Sequence, residues 1–357
     1  MSNARADVAT IGQARLRLID TLSNKCRLWE PMVLSLYSRI KTFGTLAETA
    51  ADVPDARFAL PSAIHWIRAL AMLIDDVNLD FASGRAFYRA TQPRSMPERE
   101  LNTVCEQLLF VLNQIAALKA LTTVPNKADV ARVGIVTWYY GVYSAASAMI
   151  AAADGSFPDN HTDTARQWHQ RFSAKGLAMP PFSDCLSSLT AAAVASGLVP
   201  VRARGFHSLV VEPTTVQDAW GCCAEYLSGT ADWEQWNIRE RLKGTREFKD
   251  LGVADFRTKS ARELRDAAYA RNGIAFLHQA SRYRGKANYR DAIYLAYGTS
   301  VSALLSEFID DLLTVLTGFA TMAGAYASMR VGKAAWHDFV DDLDKKRSIT
   351  VSPKDIW

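Results

Sequence analysis

The stretch Ala128–Gly155, ADVARVGIVTWYYGVYSAASAMIAAADG, decides the fold class. It is too long for a strand, holds no proline and closes on glycine, so it reads as one helix. Its residues are apolar nearly all the way round. A helix with no polar face must be covered on every side, which puts it at the centre of a helical assembly.

The sequence on either side supplies the helices that would cover it. Residues 8–45 read as a helical pair. PSAIHWIRALAMLIDDV opens with Pro61, a residue suited to a first helical turn. ERELNTVCEQLLFVLNQIAALKAL, ending at Leu121, is a second long helix. LLTVLTGFATMAGAYASM, Leu312–Met329, carries no charge and has about the minimum length of a membrane span. Its Gly, Ala, Ser and Thr content favours a buried bundle helix. β-Branched residues in LVPVRARGFHSLVVEP, residues 198–213, suggest a small hairpin. The expected architecture is an all-α helical bundle. A helical N-terminal region would span residues 1–125 and the main helical domain residues 126–345. A weak break near 180–215 and a tail at 346–357 complete the plan.

With 357 residues, 49% of them hydrophobic, the chain can bury a sizeable core. The five cysteines form no CxxC pair, which points to a reducing, cytoplasmic setting. The N-terminus lacks the apolar core of a signal peptide. P-loop, GxGxxG, HExxH and GxSxG patterns are all missing from the sequence. DDVNLD (Asp75, Asp76, Asp80) is similar to the magnesium motif of all-α isoprenoid enzymes, but no second motif accompanies it. His161, Asp163 and His169 have loose metal-ligand spacing without a supporting signature.

Charge is distributed unevenly. The net charge is +4, yet residues 239–290 carry 14 lysines and arginines against six acids. Such a block suits a polyanion. Within it, SARELRDAAYARNGIAFLHQASRYR begins with Ser260 and Glu263 at capping-box spacing. Read as one helix at about 100° per residue, it places Arg271 and His278 on the stripe of Leu264, Ala268 and Ala275. Arg265, Asn272 and Gln279 fall on the solvent side. An arginine on an apolar stripe must meet a carboxylate, a partner or a ligand. Asp310 or Asp311 would be the carboxylate in a purely structural reading. Gly273 leaves room for another backbone to approach.

Arg271, polar Asn272 and then His278 resemble the Arg–polar–x(n)–His signature of the HEPN superfamily. Two other Arg–His spacings, Arg202–His207 and Arg330–His337, lack its polar residue or its helical setting. RVGIVTWYYGVYSAASAMIAAADGSFPDNH, residues 132–161, resembles the Tyr-Tyr helix, turn and His common in that family. The resemblance spans residues 130–345. It implies a metal-independent, cofactor-free endoribonuclease of a toxin or antiviral system. It also implies a homodimer whose two Arg–His pairs share one cleft, and an antitoxin or other defence protein as a further partner.

In this reading the RNA 2′-hydroxyl attacks the neighbouring phosphate. His278 would transfer protons, Arg271 would hold the phosphate and Asn272 would orient it. Arg282, Arg284, Lys286 and Arg290 would draw in the RNA backbone, and Tyr283 would stack on a base. The competing expectation is a non-catalytic helical sensor or scaffold of a defence complex.

Overall fold

The computed structural model describes residues 60–289, 295 and 301–357. The chain divides into two units, residues 1–47 and 48–357, and every described residue belongs to the second. The expected helical pair at 8–45 lies outside the described residues. The division falls well before the expected boundary at residue 125. Helices on both sides of that position pack together, so they form one body.

All named regular elements among the described residues are helical. They are α1 (Leu60–Asp76), α2 (Phe81–Phe87), α3 (Glu98–Leu121), α4 (Ala131–Asp154), α5 (His161–Arg171), α6 (Ala191–Arg202), α7 (Val216–Lys243), α8 (Arg246–Asp250), α9 (Lys259–Ala270), α10 (Phe276–Tyr289), α11 (Val301–Leu304), α12 (Phe308–Val331) and α13 (Lys333–Lys346). The all-α expectation holds. The expected hairpin at 198–213 does not form. Ala191–Arg202 is helical because Leu198 and Val201 are buried in the cluster that also holds Ala224 and Leu227 of α7. Side-chain burial here overrides β propensity.

Helix α4 is central, and α3, α5, α10 and α12 pack on it. It ends at Gly155, whose φ of 80° is the left-handed C-cap conformation. Trp138 of α4 lies 6.2 Å, centre to centre, from Trp66 of α1, which stacks on Tyr226 of α7 at 4.3 Å. Among the described residues two helices, α3 and α12, are long and apolar enough to cross a membrane, and 78% of the apolar window of α12 is buried inside the protein. The expected tail is docked. Val351, Ser352 and Pro353 are buried, and the Trp357 indole donates to the Ala320 carbonyl of α12 at 3.0 Å.

The basic helix differs most from expectation. It is two helices. The N-cap of α9 is Thr258, whose hydroxyl accepts the Ala261 N–H, so Ser260 lies inside the helix. Helix α9 ends at Ala270 with Arg271 as its C-cap. The chain then extends, and Ile274 exchanges both backbone hydrogen bonds with Leu186 at 2.9 Å. Helix α10 starts at Phe276. Asn272 stabilises the break by donating its side-chain amide to the Ala268 carbonyl at 2.8 Å. The backbone that approaches Gly273 belongs to the same chain: a Cβ there would lie 2.6 Å from the Leu186 carbonyl oxygen.

Candidate functional site

The break in the basic segment creates a cavity of about 460 Å³ between α5, α7, α10 and the 271–275 turn. That size is within the roughly 300–1,000 Å³ of small-molecule sites. Arg271, Asn272 and His278 all line it, together with Arg282 from the next turn of α10. One chain therefore brings these residues together. No shared helical stripe is involved.

The wall facing them comes from segments far away in sequence. Helix α5 contributes His161, Arg166 and His169; α7 contributes Trp233, Glu234, Asn237 and Arg241. Helix α5 is positioned by its N-cap, Asn160, whose side chain accepts the Asp163 N–H at 2.9 Å. Helix α7 is fixed by a capping box between Thr215 and Asp218. The lining holds four guanidiniums against the one carboxylate of Glu234. The cavity is therefore electropositive and suited to an anion. Burial raises the Glu234 pKa, while Asn237 and the Arg241 guanidinium, at 2.8 Å, oppose that rise.

Arg271 is exposed at the cavity, and no ion pair to it occurs among the described residues. Of the two carboxylates expected to meet it, Asp311 is buried and accepts from Arg68 at 2.9 Å, and Asp310 is exposed and does not line the cavity. Arg282 is 3% exposed; it donates to the Thr230 hydroxyl at 3.0 Å and lies over the Tyr226 and Trp233 rings. It is a buried cation at the cavity wall and does not belong to a solvated RNA track.

His278 sits in the first turn of α10, and its Nδ1 accepts the Ala275 N–H at 3.2 Å. Burial, with His169 beside it, pushes its pKa down to about 3. The two rings are 6.2 Å apart and nearly perpendicular. Burial also lowers the pKa of His169. His161 packs among Tyr139, Tyr140 and Tyr143, the tyrosines of the helix quoted in the family resemblance. Its pKa is lowered by burial and by Arg284.

Several sequence expectations are corrected. Tyr283 is fully buried between Trp66 and Trp138, so it cannot stack on a base. Gln279 is buried rather than solvent-facing. Arg284 lies over the Tyr139 ring at 4.9 Å and does not line the cavity. The Lys286 side chain and Arg290 lie outside the described residues. The alternative Arg330–His337 pair is not assembled, because the Arg330 guanidinium donates to the carbonyls of Gln92, Ala152 and Ala153. Asp75 and Asp76 are an exposed helix end, and Asp80 caps α2. Among the described residues no group of three or more His, Cys, Asp or Glu side chains is placed to hold a metal ion.

His169, Glu234 and Asn237 were missed as members of this site. The only local signal is the two-turn spacing of His161 and His169, which by itself fits a metal pattern as well as this cavity. Compared with known protein families, with curated proteins and with solved structures, the chain finds no match.

Proposed function

We propose that this cavity binds an RNA phosphate and cleaves the chain without a metal ion, as an endoribonuclease of a toxin or antiviral system. One observation carries the reading: a single electropositive cavity holds Arg271, Arg282, His161, His169 and His278. Guanidiniums can grip a phosphate and stabilise charge as the 2′-hydroxyl attacks. Imidazoles supply proton transfer near neutral pH. Arg271 is the first contact because it is exposed and holds no ion pair among the described residues. The homodimer and a neutralising protein partner follow from the resemblance to HEPN ribonucleases.

The test is incubation of the purified full-length chain with mixed single-stranded RNA in EDTA. Cleavage is expected, and Arg271→Ala should slow it about 100-fold, the scale of removing one charge-stabilising donor. If wild type and Arg271→Ala behave identically, or neither cuts, the reading fails. A second reading, a sensor or scaffold that holds nucleic acid without cutting it, draws support from His278. Its ring nitrogen is already committed to a backbone N–H. That reading predicts RNA binding without cleavage. Arg271→Ala should then lower the salt slope of single-strand binding by about 0.7.

A further inference from the structure

A neutral imidazole has one lone pair to offer, and in His278 it is already used. The Ala275 N–H can only donate, so His278 Nδ1 carries no proton. The proton of the neutral ring is then on Nε2. The contact is the return half of a capping arrangement, with Ala275 just before α10 and His278 third within it. A helix N-terminus also disfavours a cation. A ring held this way donates through Nε2 and does not accept a proton at neutral pH.

Another group must then exchange the proton, and the cavity holds two further histidines. His161 is the first residue of α5, at the positive end of the helix dipole, and is packed among tyrosine rings. His169 occupies the last turn of the same helix, where the negative end favours a cation. The residue is 7% exposed and lines the cavity, and its Nδ1 is buried with no hydrogen-bond partner among the described residues. Gly273 presses against its other nitrogen: a Cβ there would be 2.4 Å from Nε2. The other cavity groups are His278 and Arg282 of α10, Arg271 of the turn, Glu234 and Arg241 of α7, and Arg166 of α5.

We propose that His169 is the proton acceptor of this cavity and that His278 is a fixed, neutral hydrogen-bond donor to the phosphate. The assignment rests on the RNA-cleaving reading. In the step, the 2′-hydroxyl proton passes to Nε2 of His169, the ring nitrogen that is not sealed from the cavity, while buried Nδ1 keeps the proton of the neutral ring. The O2′–P bond forms and the P–O5′ bond breaks. Water protonates the departing 5′ oxygen, leaving a 2′,3′-cyclic phosphate and a 5′-hydroxyl. His278 Nε2–H, Arg271 and Arg282 stabilise the charge on the non-bridging oxygens. His169 returns its proton to water.

The experiment combines nitrogen-15 NMR of the imidazoles in the full chain with rate–pH profiles of two variants. Spectra are taken alone, with inorganic phosphate and with a 2′-deoxy oligonucleotide, which lacks the attacking hydroxyl. His278 should remain the Nε2–H tautomer across neutral pH, and phosphate should raise the His169 pKa by roughly one unit. His169→Gln should lose about 100-fold in rate together with the acidic limb of the profile. His278→Gln, whose amide can still donate, should slow about tenfold and keep that limb. A His278 ring that titrates near neutrality, or the reverse pattern in the two variants, overturns the proposal. If wild type cuts no RNA, the nuclease reading falls, and the spectra still decide which ring exchanges the proton.

Discussion

Gly273 is where three segments of the chain meet. A Cβ there would lie 2.4 Å from His169 Nε2 and 2.6 Å from the Leu186 carbonyl oxygen. The imidazole could shift, but the backbone oxygen could not do so cheaply. Gly273→Ala should destabilise the protein by about 1–3 kcal/mol, the usual penalty of overpacking. It should also displace His169. Urea denaturation and RNA cleavage measured together would show it; a neutral effect on both would refute the close contact. The buried imidazoles make a second prediction. His65, His161, His169 and His278 all have lowered pKa values, His278 down to about 3. Below about pH 6.5 these imidazoles therefore bind more protons in the unfolded chain than in the folded one, and their contribution to stability falls with falling pH; Asp311, raised by burial to about 6, acts in the opposite sense. The loss approaches about 1.4 kcal/mol per pH unit for each imidazole that stays neutral while its unfolded counterpart is fully charged. Denaturation curves at pH 7 and pH 5 should show the loss in wild type, and a smaller one in His278→Gln. Equal slopes would mean that His278 is not held neutral.

At the scale of elements, long apolar helices were readable. α3, α4 and α12 lie close to where their sequences place them, because hydrophobic periodicity is a local signal repeated over many turns. The basic segment was misread for the same reason. Its pattern continues through residues 271–275, while the break there depends on Leu186, about 90 residues away. The 198–213 segment shows the same limit, since Leu198 and Val201 are buried in a helical cluster with α7 while Val199, Val210 and Val211 stay exposed. The C-terminal end of α4 supplies a test. Arg330 donates to the carbonyls of Ala152 and Ala153, and Arg94 donates to those of Ala151 and Ala152. Carbonyls of a last helical turn lack N–H partners further along the helix; here Ala151 still accepts the Gly155 N–H, while Ala152 and Ala153 depend on the guanidiniums. Arg330→Ala should cost about 2 kcal/mol in a melting experiment, on the scale of hydrogen bonds to a charged group. RNA cleavage measured below the melting range should be unchanged. Loss of cleavage with an unaltered melt would restore Arg330–His337 as the active pair.

Across the whole molecule, the C-terminal segment belongs to the core assembly. Trp357 packs beside Gly324 and Trp336, and Lys354 pairs with Asp341 at 2.9 Å. Trp357→Ala should remove about 2 kcal/mol of stability, less than for a fully buried ring because Trp357 is half-buried. A free tail would show no change in melting temperature. The sequence by itself determined the helical class, the central place of Ala131–Asp154 and the candidacy of Arg271, Asn272, His278 and Arg282. Those properties follow from periodicity and residue chemistry, which are present in any short window of the chain. Only the tertiary structure decided that α5 and α7 complete the cavity around those four, that Tyr283 belongs to the core and that His278 has already given its lone pair to Ala275. These depend on contacts between segments far apart in sequence and on the direction of single nitrogen atoms, which no helical pattern encodes.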